Sequence, residues 1–344
     1  MTGQTRPLAS RRVLGEALAR RAYGERRVRL ASRDLSGCEH LVSTRRGLFA
    51  VARDGHRLIA HGQFFGLTVA GNTLFAFEAC DRPSALSRLG RIVRLHRAGD
   101  EIVAADVFVD GLDNGCHQID LIGDTLFVAD TYRQIVVAIE PDGTVHEYQP
   151  IPLAAARDWE NGYVHLNSLI ASGDYRLALL HNGAGHTGLC SEVAILDADW
   201  RLIERRPLAG SGCHGLAVLE DGTLLSCGSF AGELIGSDGL RVKVTELMTR
   251  GLSVGREEIV VGGSVFAERD VRDRSTGEVF FLDRDYQLLG TLAMPAPPTE
   301  IRRIDGADLS LSNHVHRLGL EVRWPARPTP AAITTGERVK GVWP

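Results

Sequence analysis

Three histidines stand at equivalent places in a repeated pattern: Cys116-His117-Gln118-Ile119, Val164-His165-Leu166-Asn167 and Cys213-His214-Gly215-Leu216. They are 48 and 49 residues apart. Each precedes a short apolar run, a turn and a second apolar run. Neutral imidazole is a nitrogen ligand for Fe, Zn, Cu or Ni, and three such ligands leave positions open on the metal for water or substrate. That chemistry requires three distant segments to bring their rings together. A repeat of this length offers a route, because equivalent units arrayed in a ring place equivalent positions around one axis. The competing reading is structural: a polar side chain at a repeated position that hydrogen-bonds the backbone of the next unit.

The elements that would position these residues are short strands. Six times an apolar run enters a tight Gly- or Asp-bearing turn and leaves as another run: over 47–60, 91–107, 134–148, 192–206, 232–247 and 278–292. Asp54-Gly55, Asp142-Gly143 and Asp238-Gly239 are hairpin turns, since Asp-Gly between alternating strands supplies the positive φ that such turns need. A further strand pair precedes most hairpins, over 64–78, 118–130, 166–181, 215–228 and 251–263. Four short antiparallel strands per repeat of about 40–50 residues read as a β-propeller blade. The expected fold is therefore all-β, a β-propeller of six four-stranded blades, or five if the N-terminal segment packs outside the ring. The first hairpin has a single strand before it, near 40–44. Its innermost strand is expected from 301–309, so that one C-terminal and three N-terminal strands share a blade and hide both sheet edges. Residues 1–35 form an N-terminal helical segment with its helix over 8–29, residues 36–316 the propeller, and residues 317–344, with Pro325, Pro328, Pro330 and Pro344, an extended tail.

Composition sets broad limits. The chain has 344 residues, is 44% hydrophobic and 24% charged, and carries a net charge of −4. No basic excess points to nucleic acid, and no apolar run has bilayer-spanning length. The N-terminal stretch lacks the apolar core of a signal peptide, so the expectation is a cytoplasmic protein without a membrane partner. Six cysteines without a CxxC pair are expected to be reduced, with Cys116 and Cys213 as small apolar packing residues beside their histidines.

Around the ring, the position before each innermost strand reads Phe65 (with His61 just before), His117, His165, His214, Arg250, then Thr299 or Glu300. Loops after the second strands open on the same face. They add Asp130, either a carboxylate ligand or a turn cap, and His181 and His186 in a Gly-rich loop. Trp159, with Glu160 and Asn161, is placed to wall the pocket. Arg250 either pairs with Glu300 or binds a substrate or cosubstrate carboxylate through its two-pronged guanidinium. Asn313-His314-Val315-His316 follows the closing strand; it could reach the mouth, but a solvent-facing loop is the favoured reading. His56, His96 and His146 fall near hairpin turns on the rim.

The run Gln118-Ile119, Leu126-Phe127-Val128-Ala129-Asp130-Thr131, Ile135 resembles the NHL-type repeat, and residues 40–310 resemble the six-bladed propellers that include the gluconolactonase and SMP-30 lactonases. Those lactonases hold a divalent cation with carboxylate and amide ligands, whereas this chain offers imidazoles, so their residues do not carry over. A His-lined axis is also reminiscent of carotenoid cleavage oxygenases, which use four His on seven blades. More loosely, the chain is similar to propeller-fold iron and 2-oxoglutarate oxygenases of aminoglycoside biosynthesis, which form an orthoester ring between sugars.

This last resemblance implies an oxygenase acting on a polar, sugar-like small molecule. His117, His165 and His214 would bind Fe(II), Arg250 would hold 2-oxoglutarate, and Asp130 or Glu300 would complete the usual two-His-one-carboxylate set. Trp159, His181 and His186 would contact substrate. A hydrolase or lyase using Zn, Ni or another divalent ion is the second expectation, and a non-catalytic binding propeller the third.

Overall fold

Alternating apolar residues between Gly and Asp turns fold here into ribbons four strands wide. The computed structural model describes residues 17–82, 85–267, 271, 274–313, 322 and 324. Among them, 24 strands form six four-stranded antiparallel sheets. Blade one is Phe64–Ala70, Thr73–Ala79, Gly90–Ala98 and Glu101–Leu112. Blade two is Ile119–Ile122, Thr125–Asp130, Ile135–Ile139 and Val145–Tyr148. Blade three is Leu166–Ser172, Tyr175–Leu180, Glu192–Leu196 and Leu202–Pro207. Blade four is His214–Val218, Leu224–Gly228, Glu233–Gly236 and Arg241–Lys243. Blade five is Met248–Val254, Glu258–Ser264, Gly277–Asp283 and Leu288–Met294.

The sixth blade closes the ring as the strand count requires. Pro298–Arg303 pairs antiparallel with His40–Thr44, and Gly47–Ala52 and Gly55–Ala60 follow outward. The closing strand thus starts before the expected 301 and stops well before 309. It stops because Asp305 accepts a hydrogen bond from the Ala307 amide (2.9 Å) and Gly306 adopts φ +75°, which turns the chain. Residues 308–313 then cross the base of the channel. Asp308 accepts from Ser253 Oγ (2.6 Å) and the Val254 amide (3.0 Å) of blade five. The Leu309 carbonyl accepts from the Val218 amide of blade four. Ser312 Oγ accepts from the Ala171 amide of blade three (2.8 Å) and the Ser312 amide donates to Asp120 of blade two (3.0 Å).

The core is six wedges, one between each pair of neighbouring blades. Phe77, Ile92, Ile119 and Val137 fill one such wedge, and Val42, Val51, Val260 and Phe281 another. Blades buried on both faces explain why central strands such as Ile135–Ile139 are uninterruptedly apolar, while the outer Val145–Tyr148 is exposed. Cys116 and Cys213 lie in these wedges as packing residues.

The N-terminal helix ends before the expected Arg29. Residues 17–24 are helical, and the left-handed Arg26 (φ +48°) ends the helix before Arg29; the earlier part of 8–29 lies outside the described residues. Ala19 and Ala22 bury against blade one, where the fully buried Arg91 donates to Ala22 O (3.0 Å) and pairs with Glu78 (2.7 Å). In the expected tail, Val322 and Trp324 pack on the wedge between blades three and four; the remainder lies outside the described residues. Among the described residues, no helix is long and apolar enough to cross a membrane.

Candidate metal centre

The innermost strands begin irregularly at the channel mouth. Register shifts at Phe64/Leu67, Leu166/Ser168, His214/Ala217 and Thr249/Leu252 place β-bulges at one equivalent position in blades one, three, four and five. A bulge re-aims the side chains on either side of it. Left-handed backbone accompanies the shifts: Gly215 (φ +71°), Gly251 (φ +84°) and His165 itself (φ +55°), a region uncommon for residues other than glycine. Gly66 meets a different need. A Cβ there would stand 2.4 Å from Ile119 N and 2.6 Å from His117 O, so blade one packs directly on the backbone that carries His117.

These irregular starts bring the mouth residues into the expected order. Ring centroids of Phe65 and His117 are 5.7 Å apart, those of His117 and His165 4.9 Å, and those of His165 and His214 6.5 Å. His181, at the end of the second strand of blade three, joins them at 5.0 Å from His165 and 5.3 Å from His214. The structure therefore assembles four imidazoles where the repeat pointed to three.

Hydrogen bonds fix which nitrogen each ring presents. His117 Nδ1 is 3.0 Å from Gly115 O, and His214 Nδ1 is 2.8 Å from Gly212 O. A carbonyl only accepts, so both rings donate from Nδ1 and keep the lone pair on Nε2, the arrangement metal-ligating histidines use. Ser229 Oγ, 3.0 Å away, also supports His214 Nδ1. His165 Nδ1 is 3.1 Å from the hydroxyl of the buried Tyr163. In all three cases the partner lies two residues before the histidine. Burial, reinforced by Arg250, His181 and His117, holds His214 well below the usual imidazole range, so it is neutral.

The stitching role belongs to other residues. The Gln118 side-chain oxygen accepts from the Leu169 amide of the next blade. Asn167 donates to Cys213 O (2.9 Å), and Ser168 Oγ accepts from the Gly215 amide (3.1 Å). These residues, one to three positions after the histidines, tie blade to blade and leave the imidazoles facing the mouth.

The two carboxylates considered as ligands are engaged elsewhere. Asp130 is fully buried, accepts from Arg133 Nε (2.6 Å) and caps the turn through the Arg133 amide (3.2 Å). Burial and the neighbouring Asp113 push its pKa up to about 6, against the opposing pull of Arg133. Glu300 pairs with the buried Arg302 (2.6 Å) and not with Arg250; burial raises its pKa, partly offset by Arg302 and Arg250. Of the two candidates in blade six, Thr299 is the one that lines a small pocket with Arg250, Arg45 and Ser264. Arg45 was not singled out by sequence; its guanidinium lies 5.1 Å from the Phe65 centroid.

Trp159 does form a wall. It stacks on His165 (6.1 Å, 21°) and on His186 (5.5 Å, 13°). The opposite side carries Phe230, edge-on to His181 (5.6 Å), and the exposed Phe266. Glu160 and Asn161 are exposed on the single turn Trp159–Asn161. Asn313 is exposed at the base, hydrogen-bonded to Gly123 (2.7 and 3.0 Å), in keeping with a solvent-facing loop and not with the mouth; His314 and His316 lie outside the described residues. His56 and His146 are exposed on the rim, and His96 is half-exposed beside Asp106. Among the described residues, the ligand atoms that do come within 4.8 Å of one another are those of Glu39, His40 and Glu258 at the other end of the ring, not those of the mouth histidines; Glu258 is already paired with Arg53 (2.8 Å) and Arg303 (3.5 Å), which disfavours a cation there.

No protein-family profile matches the chain, and no curated protein does. Solved structures do resemble it. A chain of the nidogen/laminin complex is 12% identical over 78% of this chain and 99% of its own, with a TM-score of 0.55. A protein of unknown function from Bacteroides caccae is 11% identical over the same shares, at 0.52. A streptogramin B lyase is 13% identical over 81% of this chain and 91% of its own, at 0.47. Likeness at such identity is a likeness of fold, and the fold is the β-propeller.

Proposed function

We propose that the channel mouth is a metal centre held by His117, His165 and His214, and that the protein is a metal-dependent enzyme acting on a polar, sugar-like small molecule. The observation that carries this reading is the fixed tautomer of His117 and His214. Rings from blades two and four, with His165 between them, donate Nδ1–H to carbonyls of their own loops, which leaves each Nε2 with its lone pair. A bound metal would supply Lewis acidity or, as iron, redox chemistry. The chain's own residues would do the rest. Trp159 and His186 offer a flat wall with polar edges to a ring-shaped substrate. Arg250 and Arg45 line a small pocket with Thr299, a cationic corner suited to a carboxylate.

Two reaction classes fit this site. An Fe(II) and 2-oxoglutarate oxygenase, with oxidative ring closure between aminoglycoside sugars as the reaction the resemblance implies, is supported by the positive charge of Arg250, which helps lower the His214 pKa and would attract a cosubstrate carboxylate. A hydrolase or lyase using Zn, Ni or another divalent ion is favoured by the ligand set. Among the described residues, Asp130 and Glu300 are held by Arg133 and Arg302, which leaves three imidazoles and an open position.

Elemental analysis of the wild type beside His117→Ala, His165→Ala and His214→Ala tests the centre, with metal expected in the wild type and lost in the variants. Anaerobic addition of Fe(II) and 2-oxoglutarate separates the two classes: a visible charge-transfer band supports the oxygenase, and its absence in iron-loaded protein supports the other. A wild type that takes up no Fe, Zn, Ni or Cu sinks both, and leaves a binding propeller.

A further inference from the structure

We propose that the seam between blades six and one carries a second site, for a phosphate group. The segment between the N-terminal helix and His40–Thr44 lies across that seam. On one side it meets the outer strand of blade six, through the Leu30–Ala60 bridge and the Ala31 amide, which donates to Ile59 O (2.8 Å). On the other it meets the outer strand of blade one, through the Asp34–Glu101 bridge and Arg33 O, which accepts from the Ile102 amide (2.7 Å). Arg27 and Arg29 alternate along it with Val28 and Leu30, which pack against the core between the two blades. Arg27, Arg29, Arg33 and His61 line a cavity of about 450 Å³ there, with Leu30 and Ala105 as apolar lining. Arg29 is half-buried, while Arg27, Arg33 and His61 are exposed, so the cavity opens to solvent.

Among the described residues no carboxylate lines this cavity. The acids nearest its arginines are spent on others. Glu78, whose pKa Arg29 helps to lower, is held by two nitrogens of Arg91 (2.8 and 2.7 Å). Glu25, on which Arg27 acts in the same way, accepts from Arg21 (2.7 Å). Arg33 is shared, since it donates to Ile102 O (2.7 Å) and also lines a neighbouring cavity with Asp34, Asp100 and Glu101. Arg27, Arg29 and His61 therefore supply most of the attraction. Arg29 Nε is buried without a hydrogen-bond partner, a state that is costly for a charged group and is relieved when an acceptor binds. A carboxylate satisfies one guanidinium fork. Several cationic donors around one space suit a phosphate, with three strong acceptor oxygens and roughly two negative charges. The cavity has the size of a small-molecule site, for which about 300–1,000 Å³ is usual.

The full chain is titrated by calorimetry with inorganic phosphate and with phenyl phosphate, at about pH 8, where both are dianions. Ionic strength is held constant, and sodium acetate is the control anion. One phosphate group is expected per chain. Arg29→Gln should weaken it about tenfold or more, the loss of a hydrogen bond to a charged group, and Arg27→Gln by a smaller factor. Arg250→Gln at the mouth, and Arg256→Gln on an exposed turn of blade five, should leave it unchanged. Phosphate should also raise the melting temperature of wild type and not that of Arg29→Gln, a difference that lower stability of the variant alone does not produce. Tighter binding of phenyl phosphate than of phosphate makes the natural occupant a phosphate ester, and equal binding makes it the free ion; both support the site. Three results overturn it: no phosphate bound by wild type, acetate bound as tightly as phosphate, or full affinity in Arg29→Gln. Loss of affinity in Arg250→Gln alone places the anion at the mouth and overturns it as well.

Discussion

Replacing Asp130 by Asn separates a buried structural carboxylate from a catalytic one. In the folded protein its pKa is raised from 3.8 to about 6, first by burial and then by Asp113. Between those values the folded chain keeps a proton that the unfolded chain releases. Folding stability from this group is thus complete below the unfolded pKa and is lost as pH rises through the folded one. About two pKa steps at 1.36 kcal/mol each amount to about 3 kcal/mol. Asn cannot titrate, so the variant lacks this loss. Urea unfolding of wild type and Asp130→Asn at pH 4 and at pH 6.5 reads the difference. Wild-type stability relative to the variant should fall by about 2 kcal/mol between the two pH values, the part of the full span that lies between them. The metal content of the variant should match wild type, because Arg133 and the turn hold the carboxylate. Parallel stability curves would refute the burial argument, and a variant without metal would return Asp130 to the centre.

Three further outcomes follow from the packing. Gly66→Ala drives a Cβ into the backbone of blade two beside His117; it should cost about 1–3 kcal/mol in urea unfolding and weaken metal binding, whereas Gly71→Ala, with open space around it, should leave metal binding alone. Arg91→Met strands the buried Glu78 and should destabilise by about 3–5 kcal/mol, with part of the loss recovered on adding Glu78→Gln; an unaltered melting curve contradicts the assignment. Ser229→Ala removes one of two partners of His214 Nδ1 and should lower metal affinity about tenfold, measured by competition with a chelator, with no change in fold.

The blade count was legible because hairpin turns are local. Six Asp- or Gly-bearing turns at regular spacing define six outer hairpins, and one unmatched strand at 40–44 forces the closing strand from the far end of the chain. The three ring positions followed from counting alone. The direction of side chains was less accessible. Asp130 shares a periodicity with mouth residues, yet Arg133, three residues on, turns it into the blade. Glu300 and Arg302 sit two apart on one strand and so share a face, a pairing the sequence does contain. His181 was seen as a loop residue because nothing in the sequence tells that the strand before it ends level with His165 and His214. The spacing Gly115-x-His117, Tyr163-x-His165 and Gly212-x-His214 held the Nδ1 partners all along. It went unread because two of those partners are backbone carbonyls, which any residue type supplies.

The crossing of residues 308–313 under the ring has a consequence for traffic. Those residues bond the inner strands of blades two to five from below, so among the described residues they bridge the end of the channel opposite the histidine-lined mouth. Were the mouth the catalytic centre proposed above, a bridged base would favour entry of substrate and exit of product by the mouth. For a single-substrate reaction there, product would then be expected to inhibit competitively, which initial-rate kinetics with added product would check.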